Sequence, residues 1–142
     1  MPFPVIDLKF RARYAETDQM GVIYYSNYLV WFEMGRAEYC RQMGFSYASL
    51  ETDGYRLMVA DVHCRYKSPA RYDDTIRVET TIRELKKKTL TFDYKVFNDA
   101  TERLLAQGYT KHVCTNHEQK LVRLPDTFVQ CMTQFPHDSP KQ

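Results

Sequence analysis

No apolar run in this chain approaches the ~18 residues that a membrane span requires. The first residues, Met-Pro-Phe-Pro-Val-Ile-Asp, lack the basic start and apolar stretch of an export signal. The expected location is the cytoplasm. Excess charge of either sign is also missing, with 20 Lys and Arg against 18 Asp and Glu and a net charge of +2. That balance argues against bulk nucleic-acid binding and leaves room for a local basic patch. The four cysteines, Cys40, Cys64, Cys114 and Cys131, form no CxxC pair. His63, His112, His117 and His137 add no zinc spacing, so neither a metal site nor a cofactor is expected. Without an export signal the cysteines read as reduced, mostly buried thiols. The six prolines stand at positions 2, 4, 69, 125, 136 and 140, which leaves both long interior stretches proline-free. No internal repeat and no Pro/Gly/Ser-rich linker divides the chain.

What is there fits one domain. A chain of 142 residues can bury ~70% of its unfolded surface and needs neither disulfide nor metal to fold. Residues 1–134 read as that domain and residues 135–142 as a loose tail. Ile6, Leu8 and the alternation over residues 10–14 predict a first strand. Residues 15–25 read as a loop. Tyr28, Phe32, Gly35, Tyr39 and Met43 step by four, three, four and four, which predicts a helix over residues 27–43, its stripe widened by Leu29 and Trp31. Gly44 suits its end, and a short helix over 46–51 follows. The period then switches to two: Met58, Ala60, Val62, Cys64 and Tyr66; Ile76, Val78, Thr80 and Ile82; Leu90, Phe92, Tyr94 and Val96; and a last strand over 106–115. Asp126 after Pro125 suits the start of a final short helix. Helix and strands are segregated, which indicates α+β with an antiparallel sheet. One helix cannot cover both faces of five strands, so either the sheet wraps the helix or a second subunit covers the rest.

The densest unusual segment runs from Tyr14 to Tyr28, a loop that feeds straight into the long helix. Asp18 precedes the helix start at Tyr25 by seven residues. Helix N-termini offer unpaired N–H groups and a positive dipole end, which can polarise a carbonyl oxygen. A nearby carboxylate can attack that carbonyl or activate water. Gly21 lets the backbone pass close to a ligand. The plainer reading is a loop of ordinary Asp and Gly residues, with Ser26 capping the helix.

The pattern Tyr14-x-x-x-Asp18-x-x-Gly21-x-x-x-Tyr25-x-x-Tyr28 resembles the signature of the 4-hydroxybenzoyl-CoA thioesterase family of hotdog-fold acyl-CoA thioesterases. Pro69-Ala-Arg-Tyr-Asp-Asp-Thr-Ile-Arg-Val and Arg83-Glu-Leu-Lys-Lys-Lys-Thr match the same family in order, so the resemblance covers about residues 8–115. It implies a curved antiparallel sheet of five to six strands wrapped round one long helix. It also implies a homodimer joined edge to edge, or a homotetramer built from such dimers, with active sites between subunits. Asp18 takes the family's catalytic aspartate position, as nucleophile or general base toward a coenzyme A thioester. The backbone amide of Tyr25 takes the position that polarises the carbonyl. One branch carries His there, where this chain has Tyr. Another branch uses a helix glutamate, for which Glu33 and Glu38 are the candidates.

Glu33 falls where the helix can line an acyl pocket, or else it is an exposed glutamate paired with Arg36. Lys86, Lys87 and Lys88 either hold the phosphates of coenzyme A or form a solvated hairpin tip. Arg83 and Arg123 are weaker candidates for the same role. Asp61 and His63 share a strand face but have no nucleophile at an elbow, and they read as a surface pair. The expected function is acyl-CoA hydrolysis to a free acid and coenzyme A. Its rivals are a dehydratase on the same fold, which lacks the usual loop histidine here, and a non-catalytic acyl-CoA or acyl-carrier binding protein.

Overall fold

The computed structural model of the chain describes residues 3–133, and the expected tail at 135–142 lies outside them. Strand β1 (Ile6–Arg11) leads into a single 3-10 turn (Tyr14–Glu16), the long helix α1 (Asn27–Gln42) and a short helix α2 (Tyr47–Thr52). Strands β2 (Tyr55–Tyr66), β3 (Thr75–Leu85), β4 (Thr89–Asn98) and β5 (Arg103–Asn116) follow, and helix α3 (Asp126–Thr133) closes the chain. The strands pair antiparallel in one five-stranded sheet, ordered β1-β3-β4-β5-β2. The α+β class and the hotdog arrangement of sheet and helix are those the sequence led us to expect. No helix among the described residues is long and apolar enough to cross a membrane.

Period-two alternation gives the sheet one apolar face. Ile76, Val78, Thr80 and Ile82 of β3 and Leu90, Phe92, Tyr94 and Val96 of β4 are all buried on it. Helix α1 lays Tyr28, Trp31, Phe32, Gly35 and Tyr39 against that face. Phe32 stacks on Tyr94 with ring centres 4.2 Å apart, and Tyr39 meets Phe92 edge-on at 5.8 Å. Each such side chain contributes roughly 1.5–3 kcal/mol by leaving water, so the aromatic stripe fixes the helix on the sheet. Gly35 permits the close approach, since a Cβ there would lie 2.5 Å from Thr80 Oγ1 and 2.9 Å from Val78 Cγ1.

Three local expectations need correction. Strand β1 stops at Arg11 and does not run to Tyr14. The Ala12 N–H turns to the Asp74 carbonyl (2.9 Å) and the Arg13 N–H to the Glu16 carboxylate (2.8 Å), which ends the ladder. Met58 does not share a face with Val62, Cys64 and Tyr66. A bulge between Val59 and Asp61 shifts the register by one residue, so Leu57 and Val59 share that face instead. Leu29 does not widen the buried stripe of α1, because it is 39% exposed.

Helix α1 packs on β1, β3 and β4 and the short α2 on β2, which leaves part of the same face of β2 uncovered. Val59, Val62 and Tyr66 point to that face, opposite His112, Thr110 and Ala106 of β5, yet they remain 42–47% exposed. Leu29, Val30 and Met34 form an exposed apolar flank of α1.

Candidate active site

The segment between the 3-10 turn and α1 is a small hairpin. Thr17 bridges Ile23. The Asp18 N–H donates to Val22 O (2.8 Å) and the Gly21 N–H to Asp18 O (3.1 Å). Gly21 closes the turn at φ +80°, a conformation glycine adopts without steric cost. The hairpin is braced from the Pro69 segment: the Ile23 N–H donates to Ala70 O at 2.9 Å, and Val22 bridges Arg71. Two stretches that the resemblance matched separately therefore meet in space.

The Asp18 carboxylate is half-buried and held by one oxygen only. Its Oδ1 accepts the N–H groups of Met20 (2.8 Å) and Val22 (3.4 Å). Among the described residues nothing donates to Oδ2. This arrangement fixes the carboxylate while leaving one oxygen for an incoming atom.

The helix start holds an unpaired backbone donor. The N–H groups of Asn27, Tyr28 and Leu29 close i to i−3 bonds onto Tyr24, Tyr25 and Ser26 at 3.0–3.2 Å. The Tyr25 N–H donates to no protein acceptor among the described residues. Its own carbonyl accepts the Tyr66 hydroxyl at 3.0 Å, a brace from the end of β2. Ser26 does not cap the helix: it is itself in the helical region, and its side chain makes no capping bond. The first turn also holds no acidic side chain, so the positive end of the dipole is unneutralised.

The remaining candidates are scattered. Glu33 stands exposed on α1 beside Val30 and Met34. It makes no ion pair with Arg36 among the described residues. It lies eight residues beyond Tyr25, six of them along α1, or ~9 Å of helix axis. Glu38 is occupied, accepting from Arg41 Nε (2.8 Å) and Gln42 Nε2 (2.6 Å). Lys86, Lys87 and Lys88 form the exposed turn between β3 and β4. That turn is at the far end of β3 from the Asp18 hairpin, roughly 30 Å away at ~3.3 Å per residue. One chain alone does not bring the lysines to Asp18. Arg83 pairs with Asp93 and covers the Tyr109 ring at 4.5 Å. Asp61 and His63 lie on the outer sheet face around the same Tyr109, a surface cluster as read from the sequence. A groove of about 580 Å³ on that outer face, lined by His63, Arg65, Arg83, Asp93 and Lys95, contains no residue of the hairpin.

Glu16, Asn27 and Tyr66 touch the site and escaped the sequence reading. Their partners are 11 to 41 residues away in the chain, and no local spacing announces such contacts. The cysteines carry none of this chemistry. Cys40 and Cys114 are buried, all four are unbridged, and burial pushes the Cys40 thiol up to about 12.

Residues 12–131 match the family model described as the thioesterase-like superfamily. The putative acyl-CoA thioesterase YneP of Bacillus subtilis is 37% identical over 110 residues, covering 78% of this chain and 79% of that protein. The acyl-CoA thioesterase YbgC of Haemophilus influenzae is 31% identical over 115 residues, covering 80% and 79%. Among solved structures, the DHNA-CoA thioesterase of Staphylococcus aureus superposes with a TM-score of 0.82 at 36% identity, over 84% of this chain and 80% of that one. With nearly the whole described chain matched and relatives 31–37% identical, this chain belongs to the thioesterase-like superfamily and is a thioester hydrolase on the hotdog fold.

Proposed function

We propose that the chain hydrolyses an acyl-CoA thioester, with Asp18 as nucleophile or general base and the Tyr25 N–H as the oxyanion donor. One observation carries this reading. Among the described residues the Asp18 Oδ2 and the Tyr25 N–H are a free acceptor and a free donor, hydrogen-bonded into one hairpin–helix junction. A thioester carbonyl polarised by the N–H gains stabilisation as its oxygen takes on charge. Asp18 acts on the carbonyl carbon, directly or through water. The carbon–sulfur bond breaks, coenzyme A leaves as the thiol, and water supplies the hydroxyl of the free acid and the thiol proton.

The uncovered face of β2 supports a homodimer joined along that edge, or a homotetramer of two such dimers. Pairing would satisfy an exposed edge of 12 residues and cover Val59, Val62 and the α1 flank. An antiparallel β2–β2 contact also explains the placement of the lysines, by bringing the Lys86–Lys88 turn of one protomer toward the Asp18 hairpin of the other. Coenzyme A phosphates would then lie on lysines of one subunit and the thioester on the hairpin of the other, with Gly21 and Glu33 lining the way. The resemblance to the 4-hydroxybenzoyl-CoA branch and the 36% identity to a DHNA-CoA thioesterase put aromatic acyl-CoAs first among substrates.

The test is hydrolysis of a panel of aromatic and aliphatic acyl-CoAs, followed by thioester absorbance, for wild type and Asp18→Asn. The variant keeps both Oδ1 bonds and its fold, and loses about 10²- to 10⁴-fold in kcat. A fully active Asp18→Asn protein would refute the assignment.

A further inference from the structure

Glu16 is a carboxylate only 5% exposed, two residues before Asp18. Burying such a group is costly unless its oxygens are matched by fixed donors. Here both are. Oε1 accepts the Arg13 N–H at 2.8 Å, and Oε2 accepts the Trp31 indole Nε1–H at 3.0 Å. The Arg13 guanidinium lies 3.6 Å from Oε2 but is 72% exposed, so it contributes little. Trp31 is an unmoving anchor: it is fully buried, with Phe10 and Tyr28 against its ring at 5.3 and 4.9 Å.

The backbone of Glu16 makes a second set of bonds. Its carbonyl accepts the Tyr24 N–H at 2.8 Å and Asn27 Nδ2 at 2.9 Å. The Tyr24 carbonyl in turn accepts the Asn27 N–H at 3.0 Å. That carbonyl belongs to the same peptide plane as the Tyr25 N–H, so the plane is held at its oxygen and the N–H direction follows. The hairpin that carries Asp18 thus starts at Glu16 and returns to it at Tyr24. Asp18 lies two residues after Glu16, and Tyr25 lies one residue after Tyr24, whose N–H bonds to the Glu16 carbonyl.

We infer that Glu16 is a positioning residue, whose side chain locks the Asp18 hairpin to Trp31 while its carbonyl holds Tyr24 and Asn27, the two residues that fix the peptide aiming the Tyr25 N–H. It touches no substrate. It sets the separation of nucleophile and oxyanion donor, and so acts on the chemical step rather than on substrate binding. This inference rests on the catalytic reading of Asp18 and Tyr25.

Glu16→Gln tests it. An amide has one oxygen, so one of the two N–H donors faces an NH₂ group, and the hairpin must shift. A displacement approaching 1 Å costs about 10²-fold when reacting groups are misaligned. We expect kcat to fall about 10- to 100-fold, with KM within about threefold, as for loss of an interaction made only in the transition state. Trp31 is the sole tryptophan, so its emission reports the loss of the carboxylate in the folded protein. That emission should shift in Glu16→Gln and not in Asp18→Asn. Trp31→Phe removes the indole donor together with part of the buried ring and should lower kcat in the same direction. The double variant should be no worse than the poorer single one, because the two groups act as a unit. Asn27→Ala cuts the other arm without disturbing the buried carboxylate, and it carries the test if Glu16→Gln does not fold.

A merely structural Glu16 would lower the melting temperature and the folded fraction but leave kcat per folded molecule unchanged; that result would overturn the inference. So would a tenfold change in KM with kcat preserved. If Asp18→Asn is inactive while folded Glu16→Gln and Asn27→Ala both turn over normally, the positioning role fails and the catalytic reading stands. A wild type inert on the whole panel takes down the catalytic reading, and this one with it.

Discussion

His112 should make the stability of this protein depend on pH in a defined window. Its ring is 1% exposed on the inner face of β5. Nε2 shares a hydrogen bond with Thr110 Oγ1 at 2.8 Å, and Thr110 meets the Tyr94 hydroxyl at 2.6 Å. Nδ1 has no partner among the described residues. Burial, and then the positive charge of Arg36 on α1, hold the imidazole neutral and push its pKa down to about 4. In the unfolded chain a histidine titrates near ~6.5. Between these values the unfolded chain binds the extra proton and the folded one does not, so stability rises with pH. The contribution is fully present above ~6.5 and is lost as pH falls toward 4. At ~1.4 kcal/mol per pH unit the loss amounts to about 3 kcal/mol, a large part of a typical 5–15 kcal/mol. The assay is urea unfolding at fixed protein concentration from pH 7.5 to 4.5, for wild type and His112→Gln. With ~1–3 kcal/mol per molar urea, the wild-type midpoint should drop by about 1–3 M. The variant starts less stable and should lose about 3 kcal/mol less than wild type over the same range, a flatter slope. Equal slopes in the two proteins would refute the reasoning, because carboxylates common to both would then carry the whole effect.

Two further outcomes follow from packing and charge. Gly35→Ala places a methyl against Thr80 and Val78; overpacking of ~1–3 kcal/mol exceeds the ~1 kcal/mol gain in helix propensity, so the melting temperature should fall, and an unchanged one would contradict the close contact. Replacing Lys86, Lys87 and Lys88 together by Ala should raise KM for acyl-CoA roughly tenfold at low salt and much less at high salt, leave kcat in place, and spare a thioester of N-acetylcysteamine, which has no phosphates; a KM that does not move would remove the lysines from substrate binding.

Much of the fold was legible because burial on a helix or a strand leaves a period. The stripe Tyr28, Phe32, Gly35 and Tyr39 and the alternations of β3 and β4 each appear in the sequence as they lie in the structure. The failures have local causes. Met58 was assigned to the wrong face because a bulge adds one residue that no composition signal marks. Leu29 looks like core on a helical wheel, but it faces the side of α1 that the sheet of this chain leaves open. Ser26 has the right residue type for a cap, yet the chain is already helical there and leaves it nothing to cap.

The site divides in the same way. Sequence alone determined one helix against an antiparallel sheet, and a loop with Asp18 and Gly21 running into the helix start at Tyr25, because these are matters of short-range order. Only the tertiary structure decided that Oδ1 of Asp18 is anchored and Oδ2 is open, and that Glu16 ties the hairpin to Trp31. It alone placed the lysine turn at the opposite end of the sheet. Those facts depend on contacts between distant parts of the chain. Such contacts form when burial forces polar groups to find partners, and a one-dimensional pattern carries no record of which partner is found.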